Sequence, residues 1–542
     1  MKRYWIKVLA LACLATCALG FAACGDNSAQ NGNSDSGQTQ PAEIEAVYAQ
    51  YVAYAEEKGD TPLSYEEWLV SIKGEQGEPG VGIEKVEYDK DGNLLITLTD
   101  GTQQTVKMPE KEEETEQEKG TPGLHYQRIA GKDEYRVIGL GMAAELDIVI
   151  PSTYNGLPVT EIGKKAFFEE FNIESIVIGD NVKNIGYQAF HNCSSLKSVT
   201  VGSGVTSIGQ YAFSIHSADL TKVSLDVYIT DMAAWCNIEF GDSSANPLNG
   251  GNLYLHNELV TELIIPDTVT SINDYAFGNC SHLTSVEIPD SVISIGNSAF
   301  SGCDSLTSVE IPDSVISTGN SAFSGCDSLT SVVIPDSITS IGEQVFRSCY
   351  SLSSITVAEN NIVYKSIDGN LYNKDGKTLI QYAIGKTDTE FVIPGGVTSV
   401  GEEAFYQCGS LKEVVIPDSV TSIGYGAFYL CGRLTSIEIP DSVTSMGLRA
   451  FVGCHSLTRV VIGNGITSIE DGAFADCSSL TSVVIGDSVT SIDSSAFLGC
   501  SSLTSITFNG TVEQWWAIEI KYSWNDSVPA TEVVCSNGTA TL

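Results

Sequence analysis

A nearly fixed phrase recurs along most of the chain, and residues 416–451, IPDSVTSIGYGAFYLCGRLTSIEIPDSVTSMGLRAF, contain it almost twice. Its most regular element is the dipeptide Ala-Phe, which recurs every 23 residues except across two longer gaps of 64 and 59 residues. Val345-Phe346 takes the place of one copy, and the other copies begin at Ala166, Ala189, Ala212, Ala276, Ala299, Ala322, Ala404, Ala427, Ala450, Ala473 and Ala496. Self-similarity at such a period is typical of stacked-repeat architectures.

Each unit has the pattern C-x-x-L-x-x-[VI]-x-I-P-x-x-V-x-x-I-x-x-x-A-F, which predicts a short strand followed by a second extended piece and a tight corner. In one unit, Val309 and Ile311 are expected to point inward, and Ser308 and Glu310 outward, because side chains alternate along a strand. Pro312 ends the strand, since it has no N–H to donate. A single unit of this length buries too little apolar surface to fold alone, so stability must come from stacking.

This pattern resembles the BspA-type, or treponemal-type, leucine-rich repeat of bacterial cell surfaces over about residues 123–535. The resemblance implies an α/β leucine-rich-repeat solenoid with 23-residue repeats. It also implies adhesion to host matrix or to other bacteria. Thr318 departs from the pattern, standing where Ile295 stands one unit earlier, and Gly179, Gly463 and Gly486 replace the proline. We expect one softer turn of the stack, not another fold.

Two insertions, near 214–260 and 355–394, interrupt the period. The first contains WCNIE from Trp235, which is echoed by WWAIE from Trp515. The first insertion and a C-terminal segment near 505–535 are therefore expected to be versions of one capping element. The second insertion carries Asp368-Gly369 and Asp375-Gly376, dipeptides typical of hairpin turns.

The N-terminus has the composition of a secretory signal peptide over residues 1–23, with basic residues ahead of a short apolar run. Phe21-Ala22-Ala23-Cys24 resembles a bacterial lipobox, which implies lipidation of Cys24 and anchoring outside a bacterial membrane. The alternative is an ordinary cleaved signal. Residues 24–43 form a polar tether.

Three further segments precede the repeats. Residues 44–74 have apolar spacing typical of short helices, and residues 75–108 form a glycine-rich spacer followed by a predicted β-meander. Residues 109–122 form an acidic linker, which we interpret as a solvated spacer.

The charge balance of 68 acidic and 28 basic residues gives a formal net charge of −40, which disfavours nucleic acid and anionic membrane surfaces as partners. Histidines are scattered, and the sequence lacks the common nucleophile, metalloprotease and phosphate-binding motifs. We therefore expect neither an enzyme nor a cofactor.

Ten cysteines occur four residues after the alanine position of a repeat, at Cys193, Cys280, Cys303, Cys326, Cys349, Cys408, Cys431, Cys454, Cys477 and Cys500. This regularity favours a ladder of small buried thiols, although stacked turns about 5 Å apart would also permit disulfides. No spacing typical of a zinc site is present. A second ladder follows the proline position at Asp267, Asp290, Asp313, Asp336, Asp418 and Asp441, interpreted as solvated turns or as calcium bridges.

The candidate ligand face comprises outward strand positions at Glu287, Glu310, Val333, Val415, Glu438, Val461 and Val484. Extended faces of repeat proteins commonly bind proteins, so the expected partners are host or bacterial surface proteins or glycans. A spacer or envelope scaffold without a ligand is the alternative. The cap aromatics Trp235, Trp515 and Trp516 are candidates for glycan recognition or, alternatively, for packing.

Overall fold

The structure, a computed structural model, describes residues 83–88, 94–98, 103–106, 120–215, 225–248 and 250–542. The predicted signal peptide, Cys24, the tether and the predicted helical segment lie outside the described residues, as does nearly all of the acidic linker. The chain divides into two units, residues 1–117 and 118–542, which are considered separately. Among the described helices, none has the length and hydropathy needed to span a bilayer.

The first unit contains a three-stranded antiparallel sheet in the segment where the sequence predicts a meander. Its strands are Ile83–Tyr88, Leu94–Leu98 and Gln103–Val106. The register shifts between Ile83 and Lys85, so the first strand carries an irregularity near its start.

The second unit is a leucine-rich-repeat solenoid, as the sequence predicts, in which most turns contribute one longer and one shorter strand. The longer strands form the long-strand face, which is three sheets in succession, parallel except for a hairpin at the end of the first and third. The first sheet contains Asp147–Ile150, Ser175–Ile178, Ser198–Val201, Asp226–Ile229, Asn252–Leu255 and Glu258–Leu259. The second contains Glu262–Ile264, Ser285–Glu287, Ser308–Glu310, Ser331–Ile334 and Ser354–Val357. The third contains Glu390–Val392, Glu413–Val415, Ser436–Ile439, Arg459–Ile462, Ser482–Ile485, Ser505–Phe508, Glu532–Cys535 and Gly538–Thr541.

The shorter strands form a second set of sheets, the short-strand face. The first sheet contains His125–Arg128, Tyr135–Gly139, Thr153–Tyr154, Leu157–Ile162, Asn184–Ile185, Ser207–Ile208 and Glu239–Phe240. The second contains Ser271–Ile272, Ser294–Ile295, Ser317–Thr318 and Ser340–Ile341. The third contains Tyr364–Ile367, Asn370–Asn373, Thr378–Gln381, Ser399–Val400, Ser422–Ile423 and Ser445–Met446, and the last contains Ser468–Ile469, Ser491–Ile492 and Glu519–Ile520.

Helix is nearly absent from the described residues, so the helical share is smaller than an α/β class would suggest. The two helices are Met232–Cys236 and Val512–Trp516, one in each predicted capping element. Asp231 caps the first helix, and Thr511 forms a capping box with Gln514 at the second. Both helices lie between a longer and a shorter strand, so the two elements share one order of secondary structure.

Two backbone requirements shape the corner of each turn. The residue before Ala-Phe adopts a left-handed conformation, as at Ser298 with φ 51° and at Gly426 with φ 52°. The glycine after the shorter strand is needed for close approach: a Cβ on Gly319 would lie 2.4 Å from the backbone nitrogen of Asn297 in the preceding turn. The glycine is not universal, because Asn273, Glu470 and Asp493 occupy this corner position in other turns.

Stacked phenylalanines occupy the interior at each corner. Phe300 lies with its ring centroid 5.4 Å from those of both Phe277 and Phe323, and its N–H donates to the Ala322 carbonyl of the next turn at 2.8 Å. The inward strand residues Val309 and Ile311 are buried as predicted, at 8% and 6% exposure. Each turn therefore covers the apolar surface of its neighbour.

Thr318 is the irregular position in this interior. It pairs in register with Ile295 on one side and Ile341 on the other and is 5% exposed. Its hydroxyl has no hydrogen-bond partner among the described residues. A buried hydroxyl without a partner costs about 1–3 kcal/mol, which supplies a physical reason for the softer turn that the sequence predicts.

The substitution Thr318→Ile should raise the free energy of unfolding by about 1–3 kcal/mol, because it removes the unpaired hydroxyl and adds apolar contact. Chemical denaturation followed by circular dichroism would measure the change. Ile295→Thr, the reverse substitution one turn earlier, is the matched control and should destabilise the protein. A neutral or destabilising Thr318→Ile would show that the site is already filled.

Candidate functional site

The candidate ligand face is a single file of outward side chains on the long-strand face, here called the outward column. Backbone register places Ile264, Glu287 and Glu310 side by side on consecutive strands. The same register aligns Glu438, Val461, Val484, Thr507 and Val534 farther along. The structure therefore brings the predicted face residues into one column within each sheet.

Exposure differs along the column. The predicted positions Glu287, Glu310, Val333, Val415 and Glu438 are exposed, whereas Val461 and Val484 are half-buried. The exposed fractions of 54% for Val333 and 42% for Val415 are high for β-branched apolar side chains. The side chains at these exposed positions face solvent and do not contribute to the core.

Three apolar members of the column were missed by the sequence analysis. Ile264, Val392 and Val534 are 61%, 62% and 49% exposed, and each follows an inward strand residue directly in sequence. The alternation of inward and outward residues along each strand could therefore have identified these three residues from the sequence. In the first sheet the column also contains Tyr228 and Tyr254, whose rings stack with centroids 4.7 Å apart.

The middle of the repeat array carries an uncompensated negative charge, a second feature that the sequence analysis did not identify. Between Lys222 and Arg347 the sequence has no lysine or arginine but contains sixteen aspartates and glutamates. One physical effect is seen at Asp327, where partial burial and the neighbouring Asp304 carboxylate together raise the pKa. We call residues 223–346 the acidic segment, whose field attracts cationic groups.

The aromatic candidates in the caps divide into two kinds. Trp235 and Trp515 are each 1% exposed, and each packs edge-to-face with a phenylalanine, Phe240 and Phe508 respectively, at a centroid distance of 5.5 Å. The Trp235 indole N–H also donates to the Ala276 carbonyl at 2.9 Å. The rings of these two residues fill the core of the cap, which supports the packing alternative for them over glycan recognition.

Trp516 is the remaining aromatic candidate, since 63% of it is exposed at the end of the second helix.

Trp515→Ala should lower the free energy of unfolding by about 3–5 kcal/mol, because it empties a buried ring site. Trp516→Ala should leave stability within about 0.5 kcal/mol of the parent protein. Urea denaturation of both variants would decide; similar losses for the two would contradict the assigned burial.

The cysteine ladder is free and buried. All twelve cysteines of the described residues are free thiols in the interior. Most repeat thiols donate to the carbonyl of a phenylalanine one turn earlier, as Cys303 does to Phe277 and Cys326 to Phe300, both at 3.3 Å. Burial raises the pKa of Cys280 to about 12 and that of Cys303 well above its usual value. The ladder is therefore a set of neutral packing groups.

These thiols should be unreactive in the folded protein, because the thiolate is the reactive form and a raised pKa keeps it scarce at pH 8. A form lacking residues 1–24 retains twelve of the fifteen cysteines. We expect Ellman's reagent to label about two or fewer of them at pH 8, and all twelve in guanidinium chloride. Fewer than twelve in the denatured protein would instead indicate disulfides.

The aspartate ladder makes local contacts in the turns. Asp441 accepts a hydrogen bond at 2.6 Å from the backbone N–H of Asn464 in the next turn, and Asp336 accepts one at 3.1 Å from the Asn360 side chain. In the part of the chain that the structure describes, no group of three or more His, Cys, Asp and Glu side chains is placed to hold a metal ion. Calcium bridging thus stays a prediction without geometric support.

Comparison with known proteins points to one repeat family. The model for the BspA type leucine-rich repeat region matches in six copies, over residues 159–237, 251–374 and 386–516. A search of curated proteins gives no match.

Solved structures include a leucine-rich cell surface protein from Faecalibacterium prausnitzii A2-165, with 34% identity and a TM-score of 0.53, covering 73% of this chain and 96% of that one. A leucine-rich repeat protein from Bacteroides ovatus ATCC 8483 has 26% identity over 76% of this chain and 98% of that one, with a TM-score of 0.36. Another from Eubacterium ventriosum ATCC 27560 has 22% identity over 75% and 95%, with a TM-score of 0.40. Of these three, the Faecalibacterium protein alone has a TM-score above 0.5.

Proposed function

Because this chain belongs to the BspA-type leucine-rich repeat family, we propose that it is a bacterial cell-surface protein that binds protein ligands through its outward column. Lipid on Cys24 would hold it to the outside of the membrane. The similar Faecalibacterium protein is described as a cell surface protein, which supports the location. The proposed action is binding and not catalysis.

The observation that carries this proposal is the repeated exposure of apolar side chains in register on one face. Ile264, Val333, Val392 and Val415 are each between 42% and 62% exposed. Acidic members such as Glu310 lie in the same column, so the column combines apolar contact area with charge. Protein interfaces commonly pair an apolar centre with a polar rim.

Protein ligands are favoured over glycans by the composition of the column. Sugar recognition depends on aromatic faces, and the described part of the column has one aromatic pair, Tyr228 and Tyr254, in its first sheet. The rest of the column consists of aliphatic side chains, acidic side chains and threonines such as Thr507. This composition suits a protein surface with apolar and basic groups.

A spacer or scaffold is the second candidate, and hydroxyl ladders beside the column favour it. Thr307 donates to the Thr284 carbonyl at 3.1 Å, and Thr458 to the Thr435 carbonyl at 3.0 Å. These hydroxyls already donate to the preceding turn. They therefore stiffen the stack and have less capacity to bind a partner.

The purified protein without residues 1–24 should bind at least one member of an array of matrix proteins and bacterial surface proteins saturably. Val333→Asp should reduce that binding tenfold or more, because it replaces an exposed apolar side chain of the column with a charged one. Glu310→Lys with Glu438→Lys should also weaken the binding. Surface plasmon resonance would measure each dissociation constant.

Ile316→Asp is the matched control for this experiment. Ile316 is 51% exposed, close to the 54% of Val333, but it directly precedes a strand of the short-strand face. The Ile316→Asp variant should bind the ligand with the same dissociation constant as the parent protein. Equal losses from both substitutions, or no saturable binding to any protein, would favour the scaffold.

A further inference from the structure

The second insertion creates a joint in the repeat stack. Its strands Tyr364–Ile367, Asn370–Asn373 and Thr378–Gln381 form an antiparallel meander, with the predicted hairpin turns between them. After the meander, Tyr382 takes the place of the repeat phenylalanine: its N–H donates to the Ala404 carbonyl at 2.8 Å and its ring stacks 5.2 Å from Phe405. A meander thus replaces a regular turn at this point.

Side chains hold the two sides of the joint together across 59 residues of sequence. The Arg347 guanidinium stacks 3.9 Å from the centroid of the Tyr406 ring and donates to the Tyr406 hydroxyl. Ser348 donates to the Gln407 side chain at 3.0 Å. In regular turns, backbone bonds such as Phe405 N–H to the Ala427 carbonyl make this connection. At the joint, side-chain contacts replace these backbone hydrogen bonds, so neighbouring turns can leave unfilled space between them.

A cavity of about 270 Å³ lies in this joint. Its lining includes three glutamates and one arginine, which gives it a net charge of −2. The charged residues are Glu343, Arg347, Glu402 and Glu403. The aliphatic side chain of Ile380 and the ring of Tyr425 form part of its apolar wall.

Glu403 keeps one buried carboxylate oxygen without a hydrogen-bond partner among the described residues. Its side chain is 12% exposed, and its Oε2 atom lies 3.6 Å from Arg347 Nε without accepting a hydrogen bond within the described structure. Burial raises the pKa of this carboxyl, as do the neighbouring Glu402 and Glu343, while Arg347 and a hydrogen bond with Gln344 oppose the effect. Arg347 is already engaged, since it also donates to Gln344 at 3.2 Å. A second cation in the cavity would stabilise the ionised carboxylate.

We propose that this cavity binds a single lysine side chain of a protein partner. A lysine has an apolar stem that can lie along Ile380 and a compact ammonium with three donors that can face the glutamates. The volume is slightly below the roughly 300 Å³ at which pockets for drug-sized ligands begin, so one side chain is the appropriate scale. Glu343 is the last acidic residue of the acidic segment and lines the cavity, so the field of this segment would bring a basic segment of the partner toward the cavity.

This inference rests on the proposed function only for the existence of a protein partner, and it can be tested without one. The probe is a fluorescein-labelled peptide of glycines and four lysines, compared with the same peptide carrying acetylated lysines. Fluorescence anisotropy at physiological salt should show binding of the lysine peptide to the protein and at least tenfold weaker binding of the acetylated peptide.

Three variants that each remove one negative charge locate the binding. Glu403→Gln and Glu402→Gln should weaken binding of the lysine peptide at least fivefold. Glu258→Gln should weaken it less than twofold, because Glu258 is exposed in the hairpin of the first long-strand sheet and belongs neither to the cavity lining nor to the outward column. Glu402 is exposed, so its variant remains informative if Glu403→Gln fails to fold. Denaturation midpoints would confirm that the variants are folded.

Equal losses in all three variants would show diffuse attraction to the acidic surface and would overturn the assignment. Equal binding of the acetylated peptide, or competition by methyl glycosides, would overturn it in favour of a neutral or sugar ligand. Failure of this test with retained Val333-dependent binding of a protein would refute the cavity inference alone. The opposite result would refute the outward column as the ligand face.

Discussion

Parallel hydrogen bonding between consecutive turns, at a separation of about 4.8 Å, sets the other dimensions of the repeat unit. Phenylalanine rings then stack at 4.7 Å between Phe405 and Phe428 and at 4.9 Å between Phe428 and Phe451. The same separation leaves no space for a Cβ at corner glycines such as Gly424, where it would lie 2.6 Å from the backbone nitrogen of Glu402. The sequence repeats because each inward position must fit its counterpart 23 residues away.

The side chains of the outward column face solvent and do not have to fit a counterpart 23 residues away, and their composition varies accordingly. Glu287 and Glu310 lie on paired strand positions. Two like charges at that separation repel by about 0.9 kcal/mol in water, and less with salt. Exposed valines at Val333 and Val415 likewise add nothing to the core. Since these exposed valines do not contribute to the core, such positions are where selection for binding can act without changing the fold.

The interior could be predicted from the sequence because the local pattern and the repeat agree at each turn. This agreement fixed the inward face of the strands, the buried cysteine position and the unusual Thr318. The adjacent residues Trp515 and Trp516 were harder, since a five-residue helix turns one ring into the core and leaves the other 63% exposed. The sequence similarity between the two capping elements indicates that they share a structure, but it does not indicate which tryptophan ring is buried.

The joint was beyond sequence reasoning for a different physical reason. Its cavity depends on how a meander meets a regular turn, where Arg347 contacts Tyr406 across 59 residues of sequence instead of the regular 23. Identical turns fill one another's surfaces, so a regular stack leaves little enclosed space between its turns. A pocket requires a turn that differs from its neighbours. The outward column and the joint thus arise from opposite causes: the column from strict repetition of the backbone, and the cavity from its interruption.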